Sequence, residues 1–193
     1  SADMAPSALK SRMWQLCVSN PAVVRAMADS ILAMAERDPA LRMITVGPED
    51  TQEFCECPRC VALDEPGAPY ARRYSRRILI FYNQVAEAVA AANLALRIKG
   101  LAYHTYLAPP EDPAIVPREN LDIQVCRFMC HNHPLGDPDC PANAEFSQWL
   151  RQGSARSDHL FMYEYYNKGS WLNMPWPILH TLQTDLPALL GYS

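Results

Sequence analysis

An α/β fold built on a parallel sheet, of the β/α-barrel (TIM-like) type, is what this sequence predicts, and three observations predict it. Short apolar, β-branched runs alternate with segments whose apolar residues recur at helical spacing. The polar residues able to carry chemistry lie just after those apolar runs, where a barrel keeps its working mouth. No glycine-rich phosphate loop follows the first run, which argues against a doubly wound dinucleotide fold. About five strands are expected, with helices outside them. A complete eight-stranded barrel takes roughly 250 residues. The 193-residue chain is therefore expected to form one partial barrel domain, 1–193, with 1–12 a flexible lead-in.

The first apolar run, Trp14 to Val18, is expected as a strand; Ser19-Asn20-Pro21 then offers an N-cap and a first-turn proline. From Val23 to Ala35 the apolar spacing is helical, and Pro39 stops that helix. Met43 to Val46 is a buried strand opening at Gly47-Pro48-Glu49-Asp50. Beyond a cysteine-rich loop, Tyr74, Ile78, Phe81, Tyr82, Val85 and Val89 mark one face of a long amphipathic helix. Leu96 to Tyr103 and Leu121 to Arg127 read as strands, separated by a proline-bearing stretch that argues against a full helix. Pro141 to Leu150 is a short helix, His159 to Tyr165 a fifth strand, and Ile178 to Leu189 a last helix kinked near Pro187.

Bulk properties exclude several functions. A net charge of −4, with no basic run longer than the pairs Arg72-Arg73 and Arg76-Arg77, leaves no footprint for nucleic acid. The most apolar stretches are interrupted by charge well short of the roughly 18 residues of a membrane span. Seven cysteines are an odd number, so a scheme of disulfides alone leaves one thiol over.

On these strand assignments, Glu49, Asp50, Tyr103, His104, Arg127, Glu164 and Tyr165 all reach the C-terminal mouth of the sheet. Glycoside hydrolysis needs two carboxyl groups flanking the bond, one as acid and one as base or nucleophile. Asp50 and Glu164 are the candidate catalytic pair. Glu49, Tyr103, His104, Arg127, His131, His133, Tyr165 and Trp171 are candidate substrate contacts, since aromatic faces stack on the apolar faces of sugars. The ordinary alternatives are helix capping, ion pairing and core packing. Cys55-Glu56-Cys57-Pro58-Arg59-Cys60 admits disulfides, buried thiols, a redox pair or a metal. A zinc ion there would use Cys55, Cys57 and Cys60 and draw its fourth ligand from Cys126, Cys130, Cys140, His131 or His133. Otherwise no cofactor is expected.

The stretch Ile44 to Asp50, the Cys55 to Glu65 loop, Leu101-Ala102-Tyr103 and His133-Pro134-Leu135-Gly136-Asp137-Pro138 together resemble the bacterial domain of unknown function 4838. The resemblance runs from about Trp14 onward. It implies a glycoside-hydrolase-like barrel within large, exported, periplasmic or cell-surface proteins that bind and hydrolyse a glycan. The motif positions fall on Asp50, Cys55, Cys57, Cys60, Tyr103, Cys130, His133, Glu164 and Tyr165. Two departures are visible: the family's acidic strand end is Asp where this chain has Glu164, and a further Glu-bearing strand is expected beyond Ser193. The expected partner is thus a carbohydrate, bound by the hydrolase or by a non-catalytic module, and unpaired barrel edges would suit a homodimer. The third reading is a thiol or metal protein organised by the cysteine loop.

Overall fold

The computed structural model of the chain describes residues 15–92, 95–127, 133–135, 137, 139–151, 159–165 and 178–190. The architecture is α/β. In chain order the elements are α1 (Pro21–Arg37), β1 (Met43–Val46), a single turn α2 (Pro58–Val61), α3 (Ser75–Ala92), β2 (Arg97–Ala102), β3 (Leu121–Arg127), α4 (Pro141–Arg151), β4 (Leu160–Glu164) and α5 (Leu179–Leu190). None of the described helices is long and apolar enough to cross a membrane. Asn20 caps α1 as its position implies, its side-chain oxygen accepting from the Ala22 N–H at 3.0 Å with Pro21 in the first turn. The assigned helix α5 runs on through Pro187.

The strands form one parallel sheet in the order β1-β2-β3-β4. Register pairs Ile44 with Ile98, Gly100 with Ile123, and Val125 with Met162. Parallel neighbours need a crossover between each pair, and the shared right-handedness of crossovers carries consecutive ones over the same face. That face is the core. Ile98, Ala102, Leu121, Ile123 and Val125 are buried there against Ile78, Tyr82, Val85 and Val89 of α3, and α1 packs on α3 behind them. Gly100 is required by this packing, because a Cβ at that position would come within 2.5 Å of the Tyr82 ring. Tyr82 also donates its hydroxyl to the Leu101 carbonyl at 3.1 Å.

Strand residues of the other parity look out on the opposite face. Thr45, Phe161 and Tyr163 are exposed there, and Lys99 and Gln124 are half-buried. Its N-terminal end is closed by buried Asp122, which accepts from Arg97 Nε at 2.9 Å and meets His159 Nδ1 at 2.7 Å.

One expected strand is absent. Gln15 to Val18 is irregular, so the described sheet has four strands rather than five. The segment does lie beside the end of β1, but the attachment is made by a side chain. The Gln15 amide donates to the carbonyls of Glu49 (2.6 Å) and Thr51 (2.9 Å) and accepts from the Glu49 N–H at 3.1 Å. A glutamine side chain thus occupies backbone groups that a ladder would use, and a turn closed by Asn20 N–H on the Cys17 carbonyl follows at once.

Candidate functional site

The residues expected at the mouth separate into two groups. Arg127 belongs to the helix-packed face; its side chain is buried, and Nη1 meets Glu164 Oε1 at 3.0 Å and Asp185 Oδ2 of α5 at 3.2 Å. It also donates to the His133 carbonyl, while Asp185 accepts from the Leu135 N–H at 2.6 Å. Burial pushes the Glu164 carboxyl up to about 6 against the pull of Arg127, with the charge of Asp185 adding to the rise. Arg127 and Glu164 therefore serve to fasten α5 and the 133–135 turn to the ends of β3 and β4. They are not open to the opposite face. His133 is exposed and pairs through Nδ1 with Asp137 Oδ2 at 2.6 Å, which holds the Asp137 carboxyl below its usual range.

Tyr103, Cys126 and Tyr165 form the second group, on the opposite face. The rings of Tyr103 and Tyr165 stack with centroids 6.4 Å apart and planes 19° apart, and Tyr163 meets Tyr165 edge-on at 4.8 Å. Their hydroxyls are hydrogen-bonded to one another. Burial raises the pKa of both phenols, so both stay neutral donors at physiological pH; Asp50 raises Tyr103 further, which sets its carboxylate near that ring. Burial likewise pushes the Cys126 thiol up to about 11, which keeps it protonated. Asp50 and Glu49 are exposed on the loop after β1, and the Glu49 backbone is the part held by Gln15.

His104 follows Tyr103 with φ at +46°, the left-handed region, and opens a 3-10 turn, His104–Tyr106. A non-glycine residue there costs on the order of 1 kcal/mol. The turn is held by the Thr105 carbonyl, which accepts from the Tyr74 N–H at 2.9 Å, and the His104 ring lies edge-on to Tyr103 at 4.1 Å. The structure thus brings Asp50, Tyr103, His104 and Tyr165 together and leaves Arg127 and Glu164 on the other side of the sheet. His131 and Trp171 lie outside the described residues, as does Cys130.

A third constellation lies between the segment before α1 and the loop after β1. Cys17, Cys55, Cys57 and Cys60 are free thiols whose sulfurs all lie within 4.8 Å of one another. Cys60 is fully buried at the first turn of α2, and its thiol donates to the Ser19 hydroxyl at 3.2 Å. The backbone N–H of Cys60 and the Ser19 hydroxyl bring the Cys57 thiol down to about 6. Cys55 accepts from the Cys57 N–H, yet burial and the neighbouring thiols push it up to about 12. Arg77, buried and paired with Asp64 through Nε at 2.6 Å, ties the loop to α3 by donating to the Cys55 carbonyl at 2.7 Å. The fourth cysteine of the cluster, Cys17, is the one that sequence reasoning missed. Its signal was only that of the cysteine nearest the N-terminus, in a short segment turning into α1. Of the alternatives, Cys126 sits across the sheet and Cys140 is disulfide-bonded.

The family model described as a domain of unknown function, DUF4838, matches residues 4–192. The chain belongs to this family. No curated protein and no solved structure matches it. The DUF4838 chain therefore takes its functional reading from its own side chains.

Proposed function

We propose that this DUF4838 domain is a segment of a β/α barrel that binds a carbohydrate at the rim formed by Asp50, Tyr103, His104, Tyr163 and Tyr165. The barrel reading rests on the sequential parallel order of the four strands, which has no switch point of the kind a doubly wound sheet needs. The binding reading rests on one observation above all: two half-buried tyrosines, stacked and hydrogen-bonded, stand at strand ends, with the charge of exposed Asp50 acting on one of them. Aromatic faces accept the polarised C–H groups of a pyranose. Asp50 adds an acceptor, and the phenols and imidazole add donors, for sugar hydroxyls.

Binding is favoured over hydrolysis by the Asp50 and Glu164 pair. That chemistry needs both carboxyl groups within roughly 5–9.5 Å across one glycosidic bond. Glu164 is committed on the other face to Arg127, which it shares with Asp185. The test is glycan-array screening followed by calorimetry on the best ligand. Tyr165→Ala and Tyr103→Ala are each expected to weaken binding about tenfold, equivalent to the roughly 1.4 kcal/mol of a stacking contact. Undiminished binding by both variants would overturn the reading. Turnover abolished equally by Asp50→Asn and Glu164→Gln would replace it with the hydrolytic one.

A further inference from the structure

We infer that Cys17, Cys55, Cys57 and Cys60 hold a single structural zinc ion that staples the segment before α1 to the loop after β1. The carrying observation is a distance. Four sulfurs arranged tetrahedrally about 2.3 Å from a zinc ion stand about 3.8 Å from one another. Cys17 Sγ lies 3.7 Å from Cys57 Sγ and 3.8 Å from Cys60 Sγ, and all four sulfurs fall within 4.8 Å. The two shorter separations match the edges of a tetrahedron around one ion, and the limit on the rest keeps all four sulfurs within reach of the same centre. The separations are too long for a disulfide, which needs about 2.05 Å. They are too short for a four-iron cluster, in which each thiolate ligates a different iron.

The surroundings fit a thiolate centre. The Ser19 hydroxyl lies 3.6, 3.7 and 3.2 Å from the sulfurs of Cys17, Cys57 and Cys60, so it caps one triangular face of the set. The backbone N–H groups of Cys57 and Cys60 point at the sulfurs of Cys55 and Cys57. Such donors stabilise metal-bound thiolates and fix their orientation. A zinc ion held by four thiolates leaves a site of net charge −2, and the Arg77 guanidinium, which also pairs with Asp64, lies beside it on the Cys55 carbonyl. Zinc is favoured over other divalent ions by the all-sulfur, tetrahedral donor set and by its place above iron and cobalt in affinity. With four protein ligands and no open position, the site is structural rather than catalytic. Mechanically it takes the place of a ladder: the segment from Gln15 to Asn20 joins the loop after β1 through the Gln15 amide at one end and through Cys17 and Ser19 at the other.

The test is elemental analysis of the protein purified under reducing conditions, with cobalt substitution as a spectroscopic readout. One zinc per chain is expected, and the cobalt form should show the intense visible absorption of a tetrahedral tetrathiolate site. Cys17→Ser should weaken zinc binding in a chelator competition at least tenfold and shift the cobalt spectrum toward a three-sulfur site, whereas Cys126→Ser should change neither. Ser19→Ala should weaken binding by about tenfold through the lost cap. Metal-free protein that stays folded would overturn the inference. So would a cobalt spectrum unmoved by Cys17→Ser, or a thiol count showing these four cysteines paired as disulfides. Should Cys17→Ser fail to fold, the metal content and cobalt spectrum of the unaltered protein still decide the matter.

Discussion

Cys126 and Arg127 are neighbours in sequence, as are Glu164 and Tyr165, yet the pleat sends one of each pair to the packed side of the sheet and the other to the open side. On the packed side an arginine is enclosed by two carboxylates and a carbonyl. On the open side two half-buried phenols, Tyr103 and Tyr165, stand at the strand ends over the buried thiol of Cys126, with the charge of Asp50 acting on Tyr103. The difference teaches that an acid at the end of a parallel strand is not thereby an acid in the mouth. Parity within the strand decides, and at β4 it sends Glu164 to the packed face and Tyr165 to the open one.

The packed side should be the more sensitive to substitution. Asp185→Ala is expected to cost about 3–5 kcal/mol, because it strips Arg127 of one carboxylate in a buried setting and leaves the Leu135 N–H without its acceptor. Urea unfolding of the variant against the parent measures this, and a loss under 1 kcal/mol would mean that the cluster is open to water. Gly100→Ala comes next, at about 1–3 kcal/mol, since its Cβ must displace the ring of fully packed Tyr82 or push β2 off α3.

Glu164→Gln separates the charge of that cluster from its geometry. The carboxyl titrates near 6 in the folded protein and near 4.5 when unfolded, so between those values the folded state holds the extra proton. Stability contributed by this group is therefore present below about pH 4.5, declines as pH rises to about 6, and is level beyond. The whole decline is at most about 2 kcal/mol. In Glu164→Gln that part of the pH profile should vanish, which unfolding midpoints at pH 4.5 and 7 will show. A profile rising over the same window would mean that Arg127 outweighs burial.

Much of this arrangement is legible in the sequence, for physical reasons that also explain the gaps. β1 to β4 each show as a short run rich in apolar residues bounded by polar or turn residues, and α3 announces itself through Ile78, Tyr82, Val85 and Val89 at helical spacing. Trp14 to Val18 has the same apolar look, but a five-residue run does not reveal that the Gln15 side chain will take the backbone's partners. Arg127 and Glu164 are legible as strand ends and illegible as a pair, because their third partner, Asp185, lies on α5, far along the chain. Cys17 is missed for the same reason: three cysteines sit in one loop, while the fourth joins them only when the segment before α1 has packed against that loop.

The smallest expected effect on stability sharpens the contrast most. Tyr163 is 48% exposed and meets Tyr165 edge-on at 4.8 Å. Replacing it by serine removes little buried area, and an exposed position away from caps and special backbone geometry changes stability by within about 0.5 kcal/mol. The same change removes one wall of the aromatic rim, and a lost aromatic contact to a sugar should weaken glycan binding about threefold to tenfold. A variant that folds as well as its parent and binds less is what an open, ligand-facing surface yields. A variant that loses stability instead would show Tyr163 buried in the intact protein, with the open face covered by further chain or by a second copy. Unfolding and calorimetry on this one substitution thus tell a binding rim from an interface.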